Sequence, residues 1–288
     1  MVDDAHAAPL AWAGSVLGSP VVSAEPLVGG LTSTMLALRV ATGADSVLRL
    51  MTNEPWRTHG AELSAREHEA QRALADTLVP APTSLGLDAD GTTTGVAAHL
   101  MSRLPGRPLT TVDDAALDAM ADVLATIHAV DPGEPFREFQ TWAWPAKWVV
   151  PRWTRHPGSW ERAFELLAGP APAFEPTFLH RDFSHRNLLW DGGAVSGVVD
   201  WVETSTGPAW LDAGHAATNL AVAFGVEPAA GFLERHAIRA GEPPVTHWLV
   251  MDAVGFLPPP GREPFFKDPG ELERLDDWLD LVVRDEVS

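Results

Sequence analysis

The chain has 288 residues, enough for one large domain or two lobes, and a chain of this size buries roughly 75% of its unfolded surface, so it needs no covalent staples. It has no cysteine, which excludes disulfides and thiolate metal sites and suits a reducing cytoplasm. With 20 basic against 39 acidic residues the net charge is −19, which speaks against nucleic acid as a main partner and fits a cationic small molecule better.

Ala5 to Ala24 lacks Asp, Glu, Lys and Arg, but the preceding MVDD is acidic and Pro9, Gly14, Gly18 and Pro20 interrupt the run. It reads as a helix and a turn, not as a signal peptide or a membrane span. EPLVGGLTSTMLALRV then reads as strand, glycine turn and strand, and SVLRLM as a third strand after the turn Thr42-Gly43-Ala44-Asp45. Residues 61–75 have helical spacing and are stopped by Val79-Pro80-Ala81-Pro82. A hairpin-like region around Asp88-Ala89-Asp90-Gly91 leads into the apolar strand VAAHLM, and Leu104-Pro105-Gly106 is a break.

Beyond that break the chain reads as helical. Asp113 to Val130 carries Leu117, Met120, Val123, Leu124 and Ile127 on one face. Residues 141–160 hold Trp142, Trp144, Trp148, Trp153 and Trp160 among prolines; such residues are more often core than ligand cage. Further helices are expected over 213–224, 229–240 and 270–285. The last carries Glu271, Glu273, Asp276, Asp277 and Asp280, read as a solvated face, with recognition of a substrate amine as the alternative. The outline is a β-rich lobe over 1–103 and a larger helical lobe over 104–288.

The chemistry concentrates in FLHRDFSHRNLLW, followed by DGGAVSGVVDW. Asp191-Gly192-Gly193 is a hairpin turn between two β-prone runs. Folding the hairpin about it brings Asn187 near Val198, two residues from Asp200, while Asp182 lies on the loop that enters it. Taken singly these are ordinary turn residues. As a spaced set they offer two carboxylates and an amide oxygen, the hard oxygen groups of a magnesium–phosphate site.

His180-Arg181-Asp182 followed by Asn187 reads H-R-D-x-x-x-x-N, the catalytic-loop pattern of protein kinases. The block from Leu179 to His215, LHRDFSHRNLLW…GVVDW…GPAWLDAGH, resembles the aminoglycoside phosphotransferase family of small-molecule kinases; the rest of the chain fits it in order but weakly. The resemblance implies an α+β, two-lobed, protein-kinase-like fold with ATP between the lobes, and phosphorylation of a hydroxyl on a small molecule. An antibiotic, aminoglycoside-like or another cationic or bulky one, is the first expectation for the acceptor. A metabolic kinase of the choline, homoserine or sugar type and a non-catalytic nucleotide-binding pseudokinase are the alternatives. Neither nucleic acid nor a membrane is an expected partner.

The resemblance also implies roles. Asp182 accepts or orients the proton of the acceptor hydroxyl, and Asn187 and Asp200 hold Mg²⁺. His180 braces the loop, and Asp212 caps its helix and ties the loop down. In the first lobe Gly29, Gly30, Thr32 and Ser33 approach the phosphates, unless Gly29-Gly30 is an ordinary hairpin turn. The family usually places a lysine on the third strand; here VLRL offers Arg49, because the only lysines are Lys147 and Lys267. Its carboxylate partner is expected to be Glu67, with Glu69 second. Leu100 to Arg103 form the hinge, which puts Met101 and Arg103 beside adenine.

Overall fold

The computed structural model describes residues 6–27, 32–43 and 45–285. Its contacts divide the chain into two units, Met1–Gly106 with Ser196–Glu203, and Arg107–Val195 with Thr204–Ser288. The segment 196–203, placed by the sequence outline in the second lobe, clusters with the first unit.

In the first unit, helix α1 (Ala7–Val16) precedes strands β1 (Val21–Pro26), β2 (Thr34–Val40) and β3 (Asp45–Leu50), helix α2 (Gly60–Leu74), and strands β4 (Ser84–Asp88) and β5 (Ala98–Ser102). The strands form one antiparallel sheet in the order β1-β2-β3-β5-β4. Side chains alternate across a strand, and here the alternation separates two chemistries. Leu36, Leu38, Leu48, Leu50, Ala98 and Leu100 pack with Leu10 and Ala13 of α1. Arg49 and His99, paired across β3 and β5, project to the other face and meet Glu67 of α2. The β4–β5 connection is organised by Asp88, which accepts from the backbone N–H groups of Thr92, Thr93 and Thr94. Gly91 has φ +66° there, and a Cβ would lie 2.6 Å from Val96 N, so only glycine fits the turn.

The second unit is mainly helical, with α3 (Asp114–His128), α4 (Pro157–Ala168), α5 (Trp210–Phe224), α6 (Val226–Ala240), α7 (Thr246–Gly255) and α8 (Pro269–Asp285). Strand β6 (Thr177–Leu179) pairs with the later Ser205–Gly207. Strands β7 (Leu188–Asp191) and β8 (Ala194–Val198) form a two-stranded ladder, which makes Ser205–Gly207 β9. Gly192 and Gly193 both have positive φ in the β7–β8 turn, as a two-residue hairpin loop requires. Helix α3 begins where the periodicity places it, with Asp113 accepting from Ala116 N at 2.9 Å. The central element is α5, buried along its length and packed by α6, α7 and α8. Its alanines and glycine allow this: at Gly214 a Cβ would sit 3.3 Å from the Cα of Leu249 on α7.

Two helices are absent from the sequence outline. Helix α7 has no amphipathic stripe, because Trp248, Leu249, Val250, Asp252, Ala253 and Val254 are all buried. Helix α4 starts at Pro157 inside the tryptophan-rich segment; proline is tolerated in a first turn because its missing N–H is unpaired there anyway. The tryptophans are largely structural. Trp160 is buried and donates to Asp276 at 2.8 Å, and Trp148 stacks on Phe164 and donates to Ala143 O. The acids of α8 depart from a solvated face. Asp276 is buried and accepts from Thr154 Oγ1, Arg155 N and Trp160, and Asp280 accepts from Ser159 Oγ. Asp277 pairs with Arg155 and His156.

His236 on α6 is buried between Phe232, Trp210 and His128. Burial, with the neighbouring His128, lowers its pKa to about 4. A histidine depressed in the folded state contributes stability above its unfolded value near 6.5, and this is lost as the pH falls toward 4. His236→Phe should therefore recover about 2 kcal/mol relative to the parent on going from pH 7.5 to pH 5. Urea unfolding at the two pH values checks this, and equal differences at both would refute it.

Candidate active site

In the first unit three charged side chains meet. Arg49 Nε lies 3.1 Å from Glu67 Oε2, and its Nη2 donates to Asp200 Oδ1 at 2.9 Å. Glu67 also contacts His99 Nδ1 at 2.9 Å; His99 Nε2 reaches Ser84 Oγ, which reaches His68 Nδ1. A polar chain thus runs from His68 beneath the sheet to Asp200. Burial pushes the Glu67 carboxyl up, but the Arg49 charge and the His99 hydrogen bond outweigh it and hold it below the ordinary value. Glu69, the second choice, lies on the exposed side of α2. The segment carrying Asp200 is fastened to the same helix, with Arg66 Nη1 donating to Val202 O at 2.5 Å.

Gly29 and Gly30 fall outside the described residues. Thr32 is half-buried, and the buried Ser33 hydroxyl has no partner among the described residues. Met101 is buried in the sheet and its Sδ accepts from Gln71. Arg103 lines a small groove of about 110 Å³ with Glu25, Arg39 and Asp45.

In the second unit the loop from His180 to Asn187 is held at both ends and in the middle. Phe183 and Leu188 anchor it in the core. Asp212 accepts from His180 N at 2.9 Å and Arg181 N at 2.6 Å, and His128 Nε2 lies 3.2 Å from it. Asp212 does not cap its helix, contrary to expectation. It sits within the first turn of α5, and both oxygens are committed to the loop and to His128, with no side-chain cap at Ala209. Its carboxyl is raised by burial but held low overall by His128, His180 and the Arg181 N–H. His180 Nδ1 accepts from Asp182 N at 3.2 Å. Asn187 Nδ2 donates to Asp182 O at 2.8 Å and Oδ2 at 3.0 Å, so its Oδ1 is the atom left for a cation.

The residue that the sequence reading passed over is His215. Its Nε2 lies 2.8 Å from Asp182 Oδ1 and its Nδ1 2.9 Å from Asp252 Oδ1. Burial lowers its pKa, but Asp252 and Asp182 reverse this and raise it to about 9, so it is an imidazolium at neutral pH. Burial likewise pushes Asp182 up, and His215, His180 and Asn187 bring it below the ordinary value. The buried Arg181 guanidinium lies 3.8 Å from the ring of Trp142, with Nη1 3.7 Å from Asp252 Oδ1. Arg186 donates to Asn219 Oδ1. Asp212, His215 and Asn219 are spaced i, i+3, i+7, one face of α5. Three polar side chains at that spacing, in a helix whose only other polar side chain is Thr218, are the signal that locates His215. Among the described residues only Arg181 (φ 72°) and Asp200 (φ 70°) hold positive φ without being glycine. Each such conformation costs of order 1–3 kcal/mol, and such strain clusters at functional sites.

Breaking a buried ion pair strands the remaining charge and costs about 3–5 kcal/mol. Arg49→Met should destabilise the protein by that order, whereas Arg49→Met combined with Glu67→Met should recover most of it. Urea midpoints of the two variants decide the matter; additive losses would show that the pair is not the relevant interaction.

Residues 23–249 match the model of the phosphotransferase enzyme family (APH). A search of curated proteins finds the mouse acyl-CoA dehydrogenase family member 10, 27% identical over 219 residues that make up 68% of this chain and 20% of that protein. The chain thus spans about one-fifth of that relative. A solved structure of a thermostable aminoglycoside phosphotransferase APH(4)-Ia, a ternary complex with ADP and hygromycin B, superposes with a TM-score of 0.66 at 19% identity, over 97% of this chain and 99% of that one. Macrolide 2'-phosphotransferase MphH from Brachybacterium faecium gives 0.62 at 20% identity, over 86% and 90%. Aminoglycoside-3'-phosphotransferase of type VIII gives 0.63 at 20% identity, over 88% and 98%. These likenesses show the kinase-like fold, and the match across 23–249 shows the lineage: the chain belongs to the phosphotransferase enzyme family.

Proposed function

We propose that this phosphotransferase uses ATP and Mg²⁺ to phosphorylate a hydroxyl of a small molecule, with an antibiotic as the first acceptor class and a metabolic alcohol of the choline, homoserine or sugar type as the second. The observation that carries the reading is the Asp182 carboxylate, about one-third exposed and fixed by Asn187 on one oxygen and His215 on the other. The acceptor hydroxyl donates to it. As the acceptor oxygen bonds to the γ-phosphorus, the bond to the β,γ-bridging oxygen breaks, ADP leaves, and the hydroxyl proton passes to Asp182.

Arg49, held by Glu67, is assigned to the α- and β-phosphates, where its planar fork presents two N–H directions in place of a point charge. Ser33 with Thr32, Gly29 and Gly30 is assigned to the phosphate cradle, and Met101 and Arg103 to the adenine side. The Asn187 amide oxygen and the Asp200 carboxylate suit Mg²⁺, which, when bound, neutralises charge on the phosphate oxygens. The pseudokinase alternative rests on the missing lysine; Arg49 answers it by keeping both the positive charge and the carboxylate partner. We place the protein in the cytoplasm and assign it no membrane or nucleic-acid partner. Among the described residues no helix is long and apolar enough to cross a membrane.

A cavity of about 720 Å³ in the second unit is the proposed acceptor pocket, with Lys147, Arg152, Trp153, Leu257 and Arg262 among its lining. That volume suits a drug-sized molecule. Three cations against Glu263 make this wall a poor match for a polyamine. The acids of α8, which would have recognised an amine, are engaged by residues 154–160. The charge therefore favours bulky acceptors with neutral or anionic faces over highly cationic ones, contrary to what the net charge of the chain suggests.

The test is ADP release from Mg²⁺-ATP across aminoglycosides, tuberactinomycin-type peptides, macrolides and small metabolic alcohols with and without an anionic substituent. Acceptor-dependent turnover that falls about 10²–10⁴-fold in Asp182→Ala is expected. Full activity in that variant would overturn the assignment of the loop.

A further inference from the structure

We propose that His215 is a positioning residue for phosphoryl transfer: bridged to Asp252, it clamps one oxygen of Asp182 so that the other is presented to the acceptor hydroxyl. The inference rests on the reading of Asp182 given above. Both ring nitrogens of His215 face carboxylates, Asp182 at 2.8 Å and Asp252 at 2.9 Å. A carboxylate only accepts, so both nitrogens must carry protons. A histidine serving the core alone needs one partner. This one has a second, and that second is the partly exposed carboxylate of the catalytic loop.

The arrangement is balanced and enclosed. The carboxylates of Asp182 and Asp252 face two cations, His215 and Arg181. Asp252 is fully buried on α7, so the bridge is rooted in the helical core. The imidazole stacks on Phe256, centroids 5.4 Å apart, and meets Trp142 edge-on at 5.3 Å. Trp142 also covers Arg181. The ring therefore has no room to turn, and Asp182 Oδ1 has a fixed partner. Asn187 grips Oδ2 from the loop itself, and one amide N–H leaves that oxygen lone pairs for the acceptor. Without His215 the carboxylate keeps only that local contact and swings about χ1 and χ2. A base displaced by about 1 Å loses rate without losing affinity.

The flanking aromatics tie the clamp to the acceptor side. Trp142 opens the tryptophan-rich segment, whose later residues line the 720 Å³ cavity, and Phe256 precedes Leu257, another lining residue. The aromatics that flank His215 and the lining of the proposed acceptor pocket thus belong to the same two chain segments.

The experiment compares His215→Asn, His215→Gln and Asp252→Asn with Asp182→Ala, by ADP release from Mg²⁺-ATP with the best acceptor of the panel or with water. The Gln amide N–H reaches the place of Nε2, and the Asn amide does not. His215→Asn is expected to lower kcat about 10²-fold with KM for ATP and acceptor changed less than about threefold. His215→Gln should keep about tenfold more kcat than His215→Asn, and Asp252→Asn should lose activity less than additively with it. A second readout needs no turnover: histidine-labelled protein should show two solvent-protected ring N–H signals for His215, the Nε2 signal vanishing in Asp182→Ala. The proposal is overturned by a folded His215→Asn with kcat within about twofold of the parent, by equal losses in the Asn and Gln variants, or by a missing Nε2–H signal. If neither His215 variant folds, Asp252→Asn, which does not touch Asp182, decides by the same kcat criterion. Turnover surviving in Asp182→Ala instead refutes the underlying reading of the loop.

Discussion

One face of α5 governs the loop from His180 to Asn187. A buried carboxylate without donors is prohibitively costly, so Asp212, with no exposure at all, must be surrounded by N–H groups. It takes them from His180 and Arg181, and their geometry places Arg181 in a left-handed conformation that it would not adopt alone. One turn along, His215 reaches the Asp182 carboxylate; a further turn along, Asn219 receives Arg186. The backbone, the Asp182 carboxylate and the trailing arginine of one loop are thus registered against a single helix. Its small residues let neighbours close around it, as α7 does at Gly214.

The first unit solves a similar problem with a sheet. Its two faces carry different contents, leucines against α1 and a polar row against α2. The row keeps Glu67 ionised in a dry place, and Glu67 fixes Arg49 by its Nε, which leaves the terminal nitrogens to meet Asp200. A lysine in the same place would have one nitrogen for every partner. The guanidinium divides the work geometrically, and the substitution reads as a change of hardware with the charge logic retained.

The sequence was informative where contacts are written in short spacing. The hairpin turn at Gly192-Gly193, the loop residues Asp182 and Asn187, and the pairing of Arg49 with Glu67 follow from local patterns and from family resemblance. His215, Asp252 and His99 did not, because each acquires its role from an element distant in sequence. Asp252 lies on a helix buried all round, which carries no periodic signature, and His99 looks like one polar interruption in an apolar strand. The α8 acids misled for the same reason. Charge on a helix normally means solvent, and only the arrival of Thr154, Arg155, Ser159 and Trp160 from another segment shows why Asp276 and Asp280 are inside.

The absence of lysine from the whole first unit has a chemical consequence. Reagents that mark nucleotide-binding faces by acylating or sulfonylating a lysine amine require a nitrogen that can shed its proton, and a guanidinium does not do so in water. Arg49 is paired with the carboxylates of Glu67 and Asp200. Such reagents would find no lysine amine in the first unit, and a survey that scores labelling there would count the protein among the inactive. A dicarbonyl that condenses with guanidinium groups addresses the group that is there, and protection of Arg49 by nucleotide would be the covalent footprint of the proposed phosphate contact, one that amine chemistry withholds.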